Sequence, residues 1–428
     1  SEMCIRDRST TIKALLAIMR YPQFCDILLI NRITYFTQII ERLSFHSIKR
    51  ILRKQVKIMI IHPTEFGLTG KHKHKDTKAL QHALNLAKKH PGSIIFIPKG
   101  EFHIKRALTI YEGTTLFMHE DTVLKRQGKD ALLKNGIRNG FYHHYNGNSN
   151  ITIIGGTFDM NGSRIPDNNT AMCIGHAHDL VLYNIRFKDV VGGHAIDACG
   201  VDNLIITRCS FEGFLDINGD RGFSEAIQLD IQVPGAFPKF GTRDGTITRH
   251  VMISECYFGP SDTPGFTSWN RAVGSHATRH NKFYQDIFIY RNTFHQTLDF
   301  ALTPFKADGL YIVDNHFLDC AGGIRFLGTK DDKHTADVQT GQRIAAQDGR
   351  DLNIINNRFE GTMTKDAINI RGYFNTQHQD VFITENHFDA THTFTLNDIK
   401  GLYFNQPQVT KAQIKMRNVD HQQLLIKS

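Results

Sequence analysis

The sequence predicts a β-rich solenoid, a fold in which successive coils of the chain stack on one another. One phrase of six residues recurs eight times. It consists of an aliphatic residue, two variable residues, a position that is usually Asn or Cys, one more variable residue and then Phe. Successive Phe residues are 23 to 47 positions apart. A β-rich unit of about 20–30 residues, lengthened by insertions, is typical of solenoids, because each coil buries its apolar side only against the next. The copies are Ile153–Phe158, Leu182–Phe187, Ile206–Phe211, Ile253–Phe258, Ile289–Phe294, Ile312–Phe317, Ile354–Phe359 and Ile383–Phe388.

The position two residues before each Phe supports the same prediction. It holds, in order, Gly156, Ile185, Cys209, Cys256, Asn292, Asn315, Asn357 and Asn386. Stacked coils lie about 4.8 Å apart, so four consecutive Asn side chains can form an amide ladder that satisfies backbone groups at a bend. We expect the two Cys residues to fill the same position as small hydrophobic side chains, and the eight Phe rings to stack in one internal file.

The composition is that of a soluble globular chain, with 40% hydrophobic and 22% charged residues. The net charge of +9 comes from residues 1–75, which contain 14 Lys/Arg and 5 Asp/Glu. A basic balance can indicate nucleic acid as a partner, but the remainder of the chain is balanced, so we predict none. We also predict no transmembrane segment, because no run reaches about 18 apolar residues. The seven Cys residues show neither zinc-site spacing nor a disulfide framework.

Three segments are predicted. Residues 1–61 form a basic N-terminal extension that we expect to be non-native or poorly ordered, because Ser1–Arg8 lacks a starting Met and resembles adapter-derived sequence. Residues 62–405 form the β-rich domain, and residues 406–428 form a C-terminal tail or cap. The localisation stays open: secreted or at the cell surface if a native signal peptide was lost, and cytoplasmic otherwise. The oligomeric state also stays open.

The start of the β-rich domain carries a recognisable pattern. Asp76-Thr77 is a good helix N-cap, the following residues repeat apolar positions at three and four, and Pro91-Gly92 ends the helix. The string FGLTGKHKHKDTKALQHAL…GSIIFIPKGEFHI resembles the capping helix and first coil of the pectate-lyase-like right-handed parallel β-helix superfamily. The resemblance covers about residues 65–405. It implies an all-β, single-stranded right-handed parallel β-helix with an N-terminal capping helix over 76–90, but not one activity, since the superfamily includes hydrolases, lyases, epimerases and phage depolymerases.

A second set of strands carries the polar residues. HAIDAC, EAIQLD, RAVGSH, FALTPF, GGIRFL and DAINIR align on an Ala/Gly–aliphatic pair whose aliphatic member we expect to point inward. Side chains alternate along a strand, so two files are predicted to face solvent and to form a groove for a polysaccharide. The first file is Asp197, Gln228, Gly274, Thr303, Arg325 and Asn369, and the second is Cys199, Asp230, His276, Phe305, Leu327 and Arg371.

The spacing of the acidic residues predicts acid–base chemistry. Asp197 and Asp230 would lie one rung apart and two residues displaced, about 8 Å between Cα atoms. An inverting glycosidase separates its carboxyl groups by about 6.5–9.5 Å. The predicted catalytic residues are Asp197, Glu225, Asp230 and His276, with His276 orienting a water or tuning a carboxyl pKa. The predicted substrate-binding residues are Gln228, Arg271, Thr303, Lys306, Arg325, Asn369 and Arg371; the arginines would bind a carboxylate or sulfate. No metal ligand is predicted.

The order of these residues distantly resembles polygalacturonase-type (family 28) glycoside hydrolases. That resemblance implies Asp230 or Glu225 as the general acid, Asp197 as its base partner, His276 as support and Arg325 as a subsite cation. The N-T-D, Asp-Asp, G-H-G and R-I-K motifs are absent from this sequence. Polygalacturonan is therefore not implied as the substrate.

Two alternatives stay open. A polysaccharide lyase or C5-epimerase acting on a uronic-acid polymer would use Lys306, Arg325, Arg371 or His276 as base or cation. A lyase would be compatible with calcium, whereas a hydrolase requires no cofactor. A non-catalytic glycan-binding or phage tail-spike-like rod would instead present an aromatic platform, for which Phe300, Phe305, Phe326 and Tyr373 are available.

Two insertions are predicted to form loops beside the groove. Residues 231–247 and 329–350 are rich in Gly and Pro or in polar residues. Loops on a rigid scaffold commonly determine specificity. We expect these loops to wall the groove, with Arg243, Lys330 and His334 near the substrate.

Overall fold

The computed structural model describes residues 59–236, 240–330, 332–373 and 376–427. The predicted basic extension lies outside the described residues up to position 58. The described chain winds through two sheets, one of 20 strands and one of 9, and the strands pair in parallel in both. A typical coil passes through the larger sheet, crosses to the smaller sheet at a Phe phrase, and returns to the larger sheet.

The strands of the larger sheet are Ile60–Ile61, Ile94–Ile97, Leu108–Thr109, Thr115–Met118, Leu133–Lys134, Ile151–Ile154, Met172–Tyr183, Ile196–Thr207, Glu225–Asp230, Arg249–Ser254, Arg271–Gly274, Tyr284–Tyr290, Phe300–Thr303, Ala307–Val313, Gly322–Leu327, Arg350–Ile355, Ile368–Arg371, His378–Thr384, Phe394–Thr410 and Ile414–Lys427. The strands of the smaller sheet are Gly100–Ile104, Thr122–Arg126, Thr157–Asp159, Arg186–Val191, Ser210–Leu215, Tyr257–Gly259, Thr293–His295, His316–Leu318 and Arg358–Glu360. Short 3₁₀ helices cover Pro63–Phe66, Lys333–Thr335 and Lys411–Gln413.

The eight repeated Phe rings stack in one internal file, as predicted. Neighbouring ring centroids from Phe158 to Phe388 are 4.4 to 5.4 Å apart. The first seven rings are buried, and Phe388 at the end is partly buried. The spacing of the rings follows the spacing of parallel strands, so each coil covers the apolar side of the one before it.

The Asn ladder is also present. The side-chain oxygen of Asn315 accepts from the backbone N–H of Asn292 at 2.9 Å, and the pattern repeats from Asn315 to Asn357 and from Asn357 to Asn386. Each Nδ2 donates to a backbone carbonyl of the preceding coil. Cys209 and Cys256 occupy this position in earlier coils and are buried. The ladder therefore satisfies the backbone at one bend of every later coil.

The capping helix covers Lys73–Lys89 and begins three residues before the predicted start. The predicted N-cap, Asp76, is buried inside the first turn. Its carboxylate accepts instead from the backbone N–H groups of Thr69, Gly70 and His103. The prediction was wrong because Asp76 connects the helix to the preceding loop and the first coil rather than capping its own helix. Ala79, Leu80, Ala83 and Leu84 pack against the coil.

Candidate active-site cleft

The predicted alignment of the polar strands is correct in register. Ile196 pairs with Ile227, Ile227 with Val273, and Val273 with Leu302. The same register continues through Ile324 to Ile368, and all these aliphatic side chains are buried in the core. Asp197 therefore lies beside Gln228, and Asp230 lies beside Cys199 on the neighbouring rung. The two carboxylates are one rung apart and two residues displaced.

The predicted solvent exposure was wrong for the acidic residues of these files and for several of their neighbours, whereas His276, Arg325, Asn369 and Arg371 are partly exposed. Asp197 is 1% exposed, Asp230 2%, Gln228 7% and Thr303 4%. Chain segments from both insertions fold over the strands and convert the expected open groove into a cleft of about 530 Å³. The cleft is lined by Asn168, Asn169, Thr170, Gly193, His194, Asp197, Arg221, Gln228, Asp230, Val233, Pro234, Gly235, Ala236, His276, Ala277, Arg279, Lys333 and His334.

The first insertion is anchored directly on the polar strands. Gln232 donates from Nε2 to the backbone carbonyl of Cys199 at 2.7 Å and accepts from Arg243 Nη1 at 2.6 Å. Arg243 therefore supports the loop and is not among the residues that line the cleft. From the second insertion His334 lines the cleft, whereas Lys330 is exposed outside it.

Asp230 is held by four neighbouring groups. Its Oδ1 accepts from the backbone N–H groups of His276 at 3.1 Å and Ala277 at 2.9 Å, and lies 3.0 Å from the hydroxyl oxygen of Tyr284. Its Oδ2 accepts from Gln228 Nε2 at 2.7 Å. Burial raises the pKa of Asp230, while these contacts and the charge of His276 act in the opposite direction. The contacts fix the orientation of the carboxylate and favour its ionised form.

Asp197 has a different environment although it lies on the adjacent rung. Its Oδ1 is buried without a hydrogen-bond partner among the described residues. Burial raises the pKa of Asp197 well above its ordinary value, and the negative charges of Asp230 and Glu225 add to this effect. The pair thus combines a carboxyl group that favours the proton with a carboxylate held by donors, a combination typical of acid–base pairs in enzymes.

Glu225 lies behind the cleft and holds His276. Its Oε2 is 2.5 Å from His276 Nε2, and its Oε1 is 3.3 Å from Arg271 Nη1. Burial opposes the charged form of Glu225, but the charge and hydrogen bond of His276 outweigh it and lower its pKa. Burial likewise opposes the charged form of His276, yet Glu225 raises its pKa. Glu225 is fully buried and absent from the cleft lining, so its position is that of a supporting residue.

Gly274 makes this arrangement possible. A Cβ at Gly274 would lie 2.2 Å from Thr303 Oγ1 and 2.9 Å from Glu225 Oε1. The absence of a side chain leaves room for Glu225 to extend across the rung. Thr303 contacts Glu225 rather than the cleft, with 3.4 Å between Oγ1 and Oε1.

The remaining predicted binding residues lie outside the cleft lining. Arg271 donates from Nε to Asp299 at 2.9 Å, and Arg325 Nη1 is 3.7 Å from the same carboxylate. Asn369 is the rung neighbour of Arg325, and Arg371 pairs with Leu327. The Nε atoms of Arg325 and Arg371 and the Oδ1 of Asn369 are buried without a hydrogen-bond partner among the described residues. These groups form a basic region beyond the cleft.

Lys306 is fully buried and does not face the cleft. Its Nζ donates to the carbonyl of Arg279 at 2.8 Å and to Gln347 Oε1 at 2.7 Å. Burial lowers the pKa of Lys306 to about 7. Lys306 thus connects the second insertion to the segment around Arg279. The sequence predicted it instead to bind the substrate.

Sequence reasoning missed two residues at the centre of the site. His194 immediately precedes the aligned Ala195, in the position that Glu225 and Arg271 occupy in the following strands, so the alignment itself contained the signal. Tyr284 belongs to a strand of a Phe phrase, and no pattern in the sequence connects it to Asp230. Within the described ranges, no group of three or more His, Cys, Asp or Glu side chains could hold a metal ion, and no helix has the length and apolar character needed to cross a membrane.

Three comparisons with known proteins agree on the fold. A family model described as "Rhamnogalacturonase A/epimerase, pectate lyase-like" matches residues 61–119. The chain is similar in structure to PfbA, a surface adhesin of Streptococcus pneumoniae, with a TM-score of 0.61 at 20% identity over 81% of this chain and 82% of that one. It is also similar to the family 28 exopolygalacturonase of Yersinia enterocolitica, with a TM-score of 0.55 at 13% identity over 87% of this chain and 78% of that one.

The chain has the pectate-lyase-like, right-handed parallel β-helix fold. In sequence, it is 25% identical over 306 residues to the plasmin and fibronectin-binding protein A of Streptococcus pneumoniae. That match includes 66% of this chain but 39% of the relative, so the chain spans well under half the length of the curated protein that it matches. The proteins of similar structure thus include both an exopolygalacturonase and a surface adhesin.

Proposed function

We propose that this protein is a glycoside hydrolase that cleaves a polysaccharide bound in the cleft. The observation that carries the proposal is the Asp197–Asp230 pair, two buried carboxyl groups on adjacent rungs of one cleft, of which Asp230 is held by several donors while Asp197 Oδ1 has no partner among the described residues. Glycosidases of most families use two such groups, one to protonate the leaving oxygen and one to activate water or attack the sugar. The rung spacing corresponds to the separation of an inverting pair.

The contacts favour roles opposite to those that the family 28 resemblance implies. Asp197 favours its protonated form, so it is the proposed general acid. Asp230 is oriented by donors that stabilise its ionised form against the effect of burial, so it is the proposed general base. His276 is the proposed positive neighbour that keeps Asp230 ionised, and Glu225 is the proposed support of His276.

The cleft lining supports an anionic polysaccharide as the substrate. Arg221, Arg279, Lys333 and His276 line it, and its two carboxyl groups, Asp197 and Asp230, both have a raised pKa. Positively charged clefts raise the local concentration of anionic ligands. A guanidinium group can bind a carboxylate or sulfate through two parallel hydrogen bonds. We propose the basic region around Arg325 and Arg371 as a further contact for a long chain.

A panel of neutral, uronic-acid and sulfated polysaccharides tests the proposal. New reducing ends without the ultraviolet absorbance of an unsaturated uronate would indicate hydrolysis. A rise in both would indicate a lyase, and a change of uronate configuration without new ends would indicate a C5-epimerase. Either result, or the absence of any reaction, would contradict the proposed activity. The variant Asp197→Asn is the control for activity from contaminating enzymes.

An adhesive function is the second candidate, because the chain is 25% identical over 306 residues to a protein named for binding plasmin and fibronectin. On this alternative, the described coils would present a binding surface and the cleft would be unused. Surface plasmon resonance with immobilised plasmin and fibronectin distinguishes the two: binding that survives Asp197→Asn, together with an inactive polysaccharide panel, favours the adhesin. The surface adhesin PfbA also supports a secreted or cell-surface location.

A further inference from the structure

His194 is a buried residue of the cleft whose ring is fixed by the protein on one side only. It is 6% exposed and lines the cleft together with Asp197, Asp230 and His276. Its Nδ1 lies 2.8 Å from the backbone carbonyl of Glu225. The rings of His194 and His276 are 6.2 Å apart between centroids and nearly perpendicular.

The contact with Glu225 determines the tautomer of His194. A carbonyl oxygen only accepts, so Nδ1 must carry the proton, and in the neutral ring Nε2 is then an acceptor. Burial lowers the pKa of His194 to about 4, so the ring is neutral at ordinary pH. Among the described residues, Nε2 has no hydrogen-bond partner. Glu225 therefore contacts both histidines: its side chain pairs with His276 and raises the pKa of that ring, and its carbonyl fixes the tautomer of neutral His194.

The charged side chains of the cleft lining are mainly hydrogen-bond donors. Arg221, Arg279 and Lys333 supply only donors, and the carboxylate of Asp230 is already engaged by protein donors. A sugar hydroxyl donates one hydrogen bond and loses that bond if it meets only donors. His194 Nε2 supplies an acceptor for such a hydroxyl, three residues along the chain from Asp197, whose Oδ1 also has no partner among the described residues.

We propose that His194 is a substrate-binding residue whose Nε2 accepts a hydrogen bond from a sugar hydroxyl beside the scissile bond. The inference rests on the proposed glycoside hydrolase function and adds a specificity determinant to it. A site that hydrogen-bonds a substrate hydroxyl discriminates strongly against an analogue that lacks it, because the buried polar group is then left unpaired.

Two variants separate binding from structure. In His194→Asn, the amide nitrogen takes the place of Nδ1 and keeps the donor to the Glu225 carbonyl, but the acceptor at Nε2 is lost. In His194→Gln, the longer side chain places an amide oxygen near the position of Nε2 but does not reproduce the donor to Glu225. The probe is an oligosaccharide prepared from the uronic-acid polysaccharide of the panel. Its cleavage is measured by kcat/KM and its binding, in the Asp197→Asn background, by calorimetric Kd.

We expect His194→Asn to lower kcat/KM and to weaken binding by about 10- to 100-fold, with a melting temperature close to that of the unsubstituted protein. We expect His194→Gln to retain activity within about 5-fold, because the acceptor remains, and to melt at a lower temperature. Activity within about 2-fold in His194→Asn overturns the inference while leaving hydrolysis by the parent protein intact. So does loss of activity that follows melting temperature in both variants. If the parent protein neither cleaves nor binds the probe, both the inference and the proposed function fail.

Discussion

Asp230 is held by donors on both of its carboxylate oxygens, and these contacts determine what a substitution there will do. From its supposed outward position, the sequence predicts that Asp230→Asn leaves folding nearly intact. The structure changes that expectation, because the amide nitrogen of Asn is a donor and would replace one of the two oxygens that accept from protein donors. A mismatched buried polar group costs about 1–3 kcal/mol.

We therefore expect Asp230→Asn to lower turnover by at least about 100-fold, the usual scale for losing general acid–base catalysis, and to lower the free energy of unfolding measurably. Reducing-end assays and urea unfolding are the measurements. Asp189→Asn is the matched control: Asp189 is also buried and accepts from the hydroxyls of Ser261 and Thr263, but it does not line the cleft. The control should lose stability and keep its turnover. Full turnover in Asp230→Asn would remove Asp230 from the mechanism.

Asp197 predicts a pH dependence of stability. Its pKa is raised in the folded protein, so the folded state holds a proton that the unfolded chain releases as pH rises above the ordinary value of about 4. The contribution of Asp197 to the free energy of unfolding is therefore fully present below that pH, and it is lost progressively as pH rises toward the pKa of the folded state. Asp197→Asn removes this loss.

The variant should therefore be more stable than the parent protein near neutral pH, with a difference that shrinks toward zero as pH falls to about 4. Urea unfolding at a series of pH values measures it, and turnover should be abolished in the same variant. A difference that stays constant with pH would show that Asp197 has the same pKa in both states.

His194 and Asp197 also show what the sequence could reveal about single residues. The repeat gave the rung of each side chain and its neighbours, because strand pairing follows the aliphatic pattern. It did not give their exposure, because burial depends on non-repeating segments that fold over the strands. It did not give the tautomer of His194 either, which depends on a carbonyl in another coil.

At the scale of elements, the Asn ladder links neighbouring coils, so removing one Asn side chain should lower the free energy of unfolding through groups in two coils. Asn315 accepts from the backbone and side chain of Asn292 and donates to the carbonyls of Ile289 and Val313. Asn315→Ala leaves these buried groups without their partner. We expect a loss of at least about 2 kcal/mol in the free energy of unfolding, since each unsatisfied group costs about 1–3 kcal/mol.

Urea unfolding measures the loss, and Asn353→Ala is the control. Asn353 lies on the outward side of the next coil and donates to its neighbour Asp351. Its substitution should change stability by no more than about 0.5 kcal/mol. Equal effects in the two variants would mean that the ladder makes no special contribution.

At the scale of the whole molecule, the periodic part of the chain was predictable and the aperiodic part was not. The Phe file, the Asn ladder and the strand register all follow from a spacing that recurs along the sequence. The insertions recur nowhere, so their composition indicated loops beside a groove but not the burial of Asp197 and Asp230 beneath them. The helix start at Lys73 was missed for a related reason: Asp76 serves a contact with Gly70 and His103, which local propensity does not describe.

The insertions have a consequence for how such proteins diverge. Ile206 pairs with Ile253 although 47 residues of chain separate them, and Ile312 pairs with Ile354 across a comparable insertion. Because doubling the length of a flexible loop costs only about 0.6 kcal/mol, a lineage can lengthen, shorten or exchange these segments while the rungs stay paired. Catalysis and adhesion can then be gained or lost through insertions and deletions at these two positions of the β-helix. We therefore expect sequence similarity between such proteins to be concentrated in the paired strands, and differences in function to be concentrated in the inserted loops.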